Sequence, residues 1–168
     1  IKQVLRSANN KMSNPYFQFK QFTVWHDQCA MKVGTDGVLL GAWASVERAR
    51  RILDIGTGSG CIAVSLTKNL EEAEVVSWDV SEKALQVAER NCRRNGVRVT
   101  LEQRDVLLAS PAGEQFDVIV SNPPYITEKE RADMSANVLE WEPELALFVP
   151  DDSPLLFYRK IAELGRDL

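Results

Sequence analysis

With 168 residues, 45% of them hydrophobic and 26% charged, the chain has the length and balance of one globular domain with a buried core, which excludes a disordered or fibrous class. No apolar run approaches the roughly 18 residues that span a bilayer, and the N-terminus lacks the apolar stretch and cleavage site of a signal peptide, so the protein is expected to be cytoplasmic. The net charge of −4 is uneven, with 8 Lys and Arg against 4 Asp and Glu in residues 1–60 and 12 against 20 in residues 61–168, which fits either an RNA-facing N-terminal segment or scattered solvated charge.

Residues 1–11 are polar and irregular, and Met12-Ser13-Asn14-Pro15 reads as a natural start followed by a turn, so 1–11 is expected to be an extension and 12–168 a single domain. Aromatic and β-branched residues crowd Phe17 to Trp25, and Cys29 to Val33 follows after His26-Asp27-Gln28. Together they predict a short hairpin. Gly34 to Gly37 breaks the pattern, and Thr35 or Asp36 can cap a buried helix over Val38–Ala44. His26 falls in a turn with no second ligand or nucleophile nearby. Cys29, Cys61 and Cys92 are far apart and form no C-x-x-C pair, so neither a disulfide framework nor a metal site is expected.

The chain is organised around Arg51-Ile-Leu-Asp-Ile-Gly-Thr-Gly-Ser-Gly60, an apolar run ending in Asp54 and three alternating glycines. It predicts a parallel strand buried on both faces, feeding a tight turn in which Gly56, Gly58 and Gly60 take φ > 0 and let a ligand approach. A helix over Cys61–Lys68 follows, its first amides facing that turn. A dinucleotide fingerprint wants G-x-G-x-x-G, and here the third glycine comes one residue early, which favours a nucleoside without a pyrophosphate over NAD. Asp54, Gly56, Thr57, Gly58, Ser59 and Gly60 are the candidate cofactor-binding residues of this turn.

A second strand, Glu74–Trp78, places Asp79 and Val80 at its carboxyl end, where an acid can accept hydrogen bonds from both ribose hydroxyls. Ser81 can cap the next helix, Ser81 to Asn95, whose Ala84, Leu85, Val87 and Ala88 should face the sheet and which Gly96 ends. A third strand, Arg98–Leu101, leads to Asp105, suited to an adenine amino group, and Val106, suited to the ring face. A fourth, Phe116–Val120, runs into Ser121-Asn-Pro-Pro-Tyr125, and a last helix is expected from Leu155 to Gly165.

Pro123 and Pro124 fix φ near −65° and remove two donors, so the carbonyls of this segment are rigidly aimed, and Asn122 adds a side-chain carbonyl. Such an acceptor pair suits a planar –NH2 group, with Tyr125 stacking on the attached amide or base. Asn122, Pro123, Pro124 and Tyr125 are the candidate catalytic residues, and Asn122 also borders the cofactor. Hydrogen bonds to both N–H protons localise the nitrogen lone pair toward an electrophile. Beside an adenosine site without a metal cluster, that electrophile is a sulfonium methyl, with positioning supplying most of the rate.

These residues resemble the S-adenosylmethionine-dependent methyltransferases of the seven-stranded, Rossmann-like class I fold, in the branch with an N/D-P-P-Y motif. From about Arg51 onward the chain is similar to the release-factor glutamine methyltransferase (HemK-like) family, through Leu53–Val64, Asn122-Pro-Pro-Tyr-Ile126, Glu142-Pro-Glu-Leu-Ala-Leu-Phe148 and Phe157-Tyr158. From Met12 to about residue 50 it resembles the tRNA adenine methyltransferases acting at position 37 of a valine tRNA, through Phe19 to His26 and Met31 to Trp43. The resemblance implies an α/β, doubly wound, mostly parallel sheet, S-adenosylmethionine as cofactor, and either the glutamine amide of a peptide chain release factor or a tRNA adenine amine as methyl acceptor. It further implies a possible chimera of the two families, with a cofactor core over 51–168 that stops three strands short of the family fold and leaves a central strand as an edge. A catalytically incompetent cofactor-binding module is the rival of a different class, and a nicotinamide-dependent reductase a more distant one.

Overall fold

The computed structural model describes residues 14–28, 33, 37, 40, 46, 48–70, 72–110, 113–133 and 144–166. The described part opens with an antiparallel hairpin, β1 (Tyr16–Gln18) and β2 (Thr23–Trp25), in which Tyr16 stands opposite Trp25 and Phe17 opposite Val24. The hairpin thus turns at residues 19–22, where the Phe19 amide donates to the Phe22 carbonyl, inside the run Phe17–Trp25 that the sequence reads as one arm, and the expected second arm from Cys29 lies mostly outside the described residues. His26 instead closes the hairpin's open end: its amide donates to the Pro15 carbonyl, and its ring bonds the Asn14 carbonyl and the Val33 amide. Residues 1–11, residues 29–32 and most of the expected 38–44 helix lie outside the described residues. Leu40, within that stretch, is helical and packs on the core.

Four parallel strands form the central sheet, in the order β5 (Thr100–Gln103), β4 (Glu74–Asp79), β3 (Arg51–Ile55), β6 (Val118–Ser121). The two-residue period of a strand divides the apolar runs between its faces. Ile52, Val75 and Val120 pack with Ile62, Ala63 and Leu66 of α1 (Cys61–Asn69), while Leu53, Ile55, Val76 and Trp78 pack with Leu164 of α4 (Leu156–Leu164). Burial on both faces is what a parallel sheet requires, and each large apolar side chain so covered contributes about 1.5–3 kcal/mol. The helix α2 (Glu82–Asn95) lies beside α1, and the hairpin covers both, with Phe22, Val24, Val64 and Cys92 in one cluster. Beyond β6 come β7 (Ile126–Thr127), a 3-10 turn (Glu128–Asp133), α3 (Glu144–Leu147) and β8 (Phe148–Val149), which pairs parallel with β7. Glu142 and Pro143 lie outside the described residues. Among the described residues, β6 has β3 as its one partner.

Two strand starts and one helix face differ from the sequence expectation, each for a local reason. Pairing of β5 starts at Thr100, not Arg98, because Gly96 ends α2 with φ 62 and the Val97 amide still donates to the Cys92 carbonyl. Pairing of β6 starts at Val118, not Phe116: the Asp117 carboxylate accepts the Arg50 and Arg51 amides, and Phe116 packs edge-on against Trp78 with centroids 6.5 Å apart. On α2, Val87 and Ala88 are buried as expected, but Ala84 and Leu85 are only half-buried, and Asn91 and Cys92 complete the inward face.

Candidate active site

Register brings the carboxyl ends of the strands to one rim of the sheet. Ile55 pairs with Trp78 on one side and Ser121 on the other, and Asp79 pairs with Gln103. Gly56, Val80, Arg104 and Asn122 are therefore the first residues beyond their strands, and the candidate residues of four separate segments emerge along the rim where open α/β sheets bind ligands.

The turn after β3 has Gly56, Gly58 and Gly60 at φ 76, 54 and 79. The Gly56 and Thr57 amides donate to the Trp78 carbonyl, and the Gly58 amide donates to Asp79 Oδ2 at 2.9 Å. The glycines serve two different purposes. A Cβ on Gly56 or Gly58 would meet nothing within 4 Å, which leaves their outer side open to a ligand, whereas a Cβ on Gly60 would stand 3.0 Å from Ala88 Cβ and 3.1 Å from its Cα. Gly60 is thus needed for the close approach of α2. Ser59 is buried, and α1 begins at Cys61 with no side chain capping it.

Beneath the turn lies Asp54, fully buried, on the α1 face of the sheet beside Ser77, whose hydroxyl donates to Asp54 Oδ2 at 3.2 Å. Burial pushes its carboxyl up to about 6, the nearby Thr57 and Ser77 hydroxyls oppose that shift, and the negative charge of Asp79 adds to it. Asp54 Oδ1 and Thr57 Oγ1 are buried with no protein hydrogen-bond partner. Asp79 ties this turn to α2: besides the Gly58 amide it accepts the Ser81 amide on Oδ1, while Ser81 itself caps α2 by accepting the Ala84 amide. Two bonds leave a carboxylate with further lone pairs for a ligand. Asp105 accepts the Leu107 amide, Val106 is buried, and the Arg104 amide donates to the Asp79 carbonyl, so the acids after β4 and β5 are neighbours.

At the other end of the rim, Asn122 and Pro124 are half-buried, Pro123 is buried and Tyr125 is exposed. The Ser121 hydroxyl donates to the Ile55 carbonyl at 2.8 Å, joining the start of this loop to the residue that precedes Gly56. Past Tyr125 the chain is fixed again, with Thr127 donating through its amide and its hydroxyl to Glu130. Among the described residues no cluster of three or more metal-ligating side chains occurs, and no helix is long and apolar enough to cross a membrane.

Comparison with known proteins bears on this geometry, because the methyltransferase small domain, as a family model, matches residues 30–141. The chain belongs to this methyltransferase family. It is 61% identical over 121 residues to a release factor glutamine methyltransferase of Bacteroides thetaiotaomicron, covering 71% of this chain and 44% of that protein. It is also 55% identical over 121 residues to a tRNA1(Val) (adenine(37)-N6)-methyltransferase of the same organism, covering 70% of this chain and 50% of that protein. Because each match takes in about 70% of the chain, the two overlap. The chain spans about half the length of these curated relatives. Among solved structures, TrmN from Thermus thermophilus superposes with a TM-score of 0.51 and 25% identity over 74% of this chain and 40% of that one, in keeping with the class I Rossmann-like architecture.

The family's cofactor is S-adenosylmethionine, and the residues present fit it. Open space over Gly56 and Gly58 admits a ligand against the backbone, Asp79 ends β4, and Asp105 lies two residues past β5. Sequence reading missed Asn91, which is buried on α2 and bonds to the carbonyl of Ser59 in the turn. The available signal was an amide on the stripe that Ala84, Val87 and Ala88 mark as inward-facing.

Proposed function

We propose that this methyltransferase domain transfers the methyl group of S-adenosylmethionine to a planar nitrogen, and that its acceptor is the side-chain amide of a glutamine in a peptide chain release factor. The observation that carries the reading is the common rung of β3 and β6: Ile55 and Ser121 are paired, so the glycine turn and the Asn122 loop leave the sheet side by side, strands about 4.8 Å apart. The 61% identity to a release factor glutamine methyltransferase supports the choice of acceptor.

In this reading Gly56 to Gly60 pass under the cofactor, Asp79 accepts hydrogen bonds from the ribose hydroxyls, and Asp105 and Val106 border the adenine. Asn122 Oδ1 and the Pro123 carbonyl accept the two N–H protons of the amide, holding its nitrogen toward the rim while Tyr125 packs on the plane of the group. The cofactor supplies a methyl on a sulfonium: the N–C bond forms as the S–C bond breaks, the sulfur leaves as a neutral thioether, and the nitrogen afterwards releases a proton to solvent. No strong base is needed at the nitrogen, because the proton departs only after the amide has become cationic, when it is acidic. The protein's contribution is therefore orientation, worth up to about 7–11 kcal/mol in well-placed intramolecular reactions.

A tRNA adenine amine is the second reading, favoured by the 55% identical tRNA methyltransferase and by the hairpin, where Arg94 lies over the Trp25 ring at 4.8 Å. Incubation with labelled S-adenosylmethionine and either release factor or tRNA separates the two. Label on the release factor glutamine is expected, label on RNA alone would transfer the proposal to the second reading, and cofactor binding without transfer to either would leave a binding module.

A further inference from the structure

The outer edge of β2 is closed in an unusual way. The ladder bonds of the hairpin fall at Phe19–Phe22 and Pro15–His26, so by alternation the main-chain groups of Thr23 and Trp25 point away from β1. Both are met by asparagines of α2. The Trp25 amide donates to Asn91 Oδ1 at 2.9 Å and its carbonyl accepts from Asn91 Nδ2 at 2.7 Å. One turn on, the Thr23 amide donates to Asn95 Oδ1 at 3.4 Å and its carbonyl accepts from Asn95 Nδ2 at 2.8 Å. The spacing explains the match. Residues four apart on a helix rise about 6 Å and residues two apart on a strand advance about 6.7 Å, so two side-chain amides stand in for the peptide groups of a third strand.

Asn91 differs from Asn95 in one respect. Its second Nδ2 proton goes to the Ser59 carbonyl at 2.8 Å, inside the glycine turn, whereas the second proton of Asn95 goes back to the Asn91 carbonyl of its own helix. Asn91 is fully buried, with its amide donors and its oxygen all engaged, so one side chain fixes both the hairpin and the peptide between Ser59 and Gly60. We propose that Asn91 is a positioning residue that couples docking of the N-terminal hairpin to cofactor binding, so that a displacement of the hairpin at Trp25, the residue Asn91 holds, changes the affinity of the turn for S-adenosylmethionine. The proposal rests on the reading that this turn holds the cofactor. By linkage the coupling is reciprocal, and cofactor must in turn tighten the hairpin.

The test compares Asn91→Leu with Asn95→Leu, each of which removes two hydrogen bonds to β2, while only the first frees the Ser59 carbonyl. Calorimetric titration with S-adenosylhomocysteine is expected to show affinity about tenfold weaker for Asn91→Leu and within about twofold of wild type for Asn95→Leu, within the range of typical couplings. Equal losses in both variants, or none in Asn91→Leu, would overturn the coupling. Should Asn91→Leu fail to fold, hydrogen exchange on the unaltered chain decides. S-adenosylhomocysteine is expected to slow exchange of the Trp25 amide as well as those of Gly56 to Gly60, and protection confined to the turn would overturn the proposal. A wild-type chain that does not bind S-adenosylhomocysteine at all would remove the cofactor reading itself, and the coupling with it.

Discussion

The two halves of the proposed site are held by different means. The cofactor half is a network: Asp79 grips the Gly58 and Ser81 amides, Trp78 takes the Gly56 and Thr57 amides, and Asn91 reaches Ser59 from another helix. The proposed acceptor half, Asn122 to Tyr125, carries its backbone stiffness in the chain itself, with two prolines restricting φ. A networked half spreads the effect of a substitution into affinity and stability. A stiff half confines it to the group removed, and this difference is open to measurement.

The largest expected effect lies in the stiff half. In the proposed reading Asn122→Ala removes one acceptor of the substrate amide, so kcat/KM should fall by about 10³, comparable to loss of one preorganised hydrogen-bonding group at a reacting centre. The affinity for S-adenosylhomocysteine should stay within about twofold, as calorimetry on the same preparation would reveal. Parallel loss of both would mean that Asn122 belongs to the cofactor network instead.

In the networked half, Gly60→Ala is the sharpest probe of the fold. The new Cβ would stand 3.0 Å from Ala88 Cβ at a backbone φ of 79. Strain of about 1–3 kcal/mol at such an angle adds to overpacking of about 1–3 kcal/mol, so a total of about 4 kcal/mol is expected in denaturant unfolding. Gly58→Ala, with open space around its Cβ, should show only the backbone strain. Equal costs at the two positions would show that α2 does not press on the turn.

Asp54 gives the network a pH signature. Its carboxyl titrates at about 6 in the folded protein against 3.8 ordinarily, so the folded state holds this proton more tightly than the unfolded chain. The associated stability, about 3 kcal/mol, is fully present below about pH 4 and is lost as pH rises through 6. Asp54→Asn removes the titration, and the difference between wild-type and variant unfolding free energies should change across pH 4–6 and be flat above it. A difference independent of pH would mean that Asp54 is ionised throughout.

The two halves also differ in how much of them the sequence discloses. Strand identity, the left-handed glycines, Asp79 at its strand end and Asn122 at the rim can all be read from local runs, because apolar period, glycine and proline act within a few residues of themselves. The hairpin's turn position cannot, since Phe19 and Phe22 are drawn inward by Cys92 and Val97 far along the chain. Asn91 and the dual purpose of the glycines are hidden for the same reason. The 66 residues separating Asn91 from Trp25, and the Ala88 that crowds Gly60, are brought together by packing alone. The stiff half is legible because its order is covalent, and the networked half is not, because its order is tertiary.

The smallest expected effect asks whether the halves are independent at all. Ser121 belongs to the acceptor strand, but its hydroxyl donates to the Ile55 carbonyl, the last residue of the strand that feeds the cofactor turn. Ser121→Ala deletes a donor and leaves a carbonyl beside the rim, where water can replace the lost partner, so the cost in stability should be about 1 kcal/mol. If the bond only trims the sheet, kcat and KM will be unchanged at a temperature well below unfolding. If it sets the distance between turn and loop, kcat should fall about fivefold with cofactor affinity intact, because about 1 kcal/mol of misplacement is then felt at the reacting nitrogen and nowhere else. The expected outcome is the second. Ile55 and Ser121 share a rung, and a shift there changes the gap between methyl donor and acceptor without disturbing the contacts that either half makes within itself.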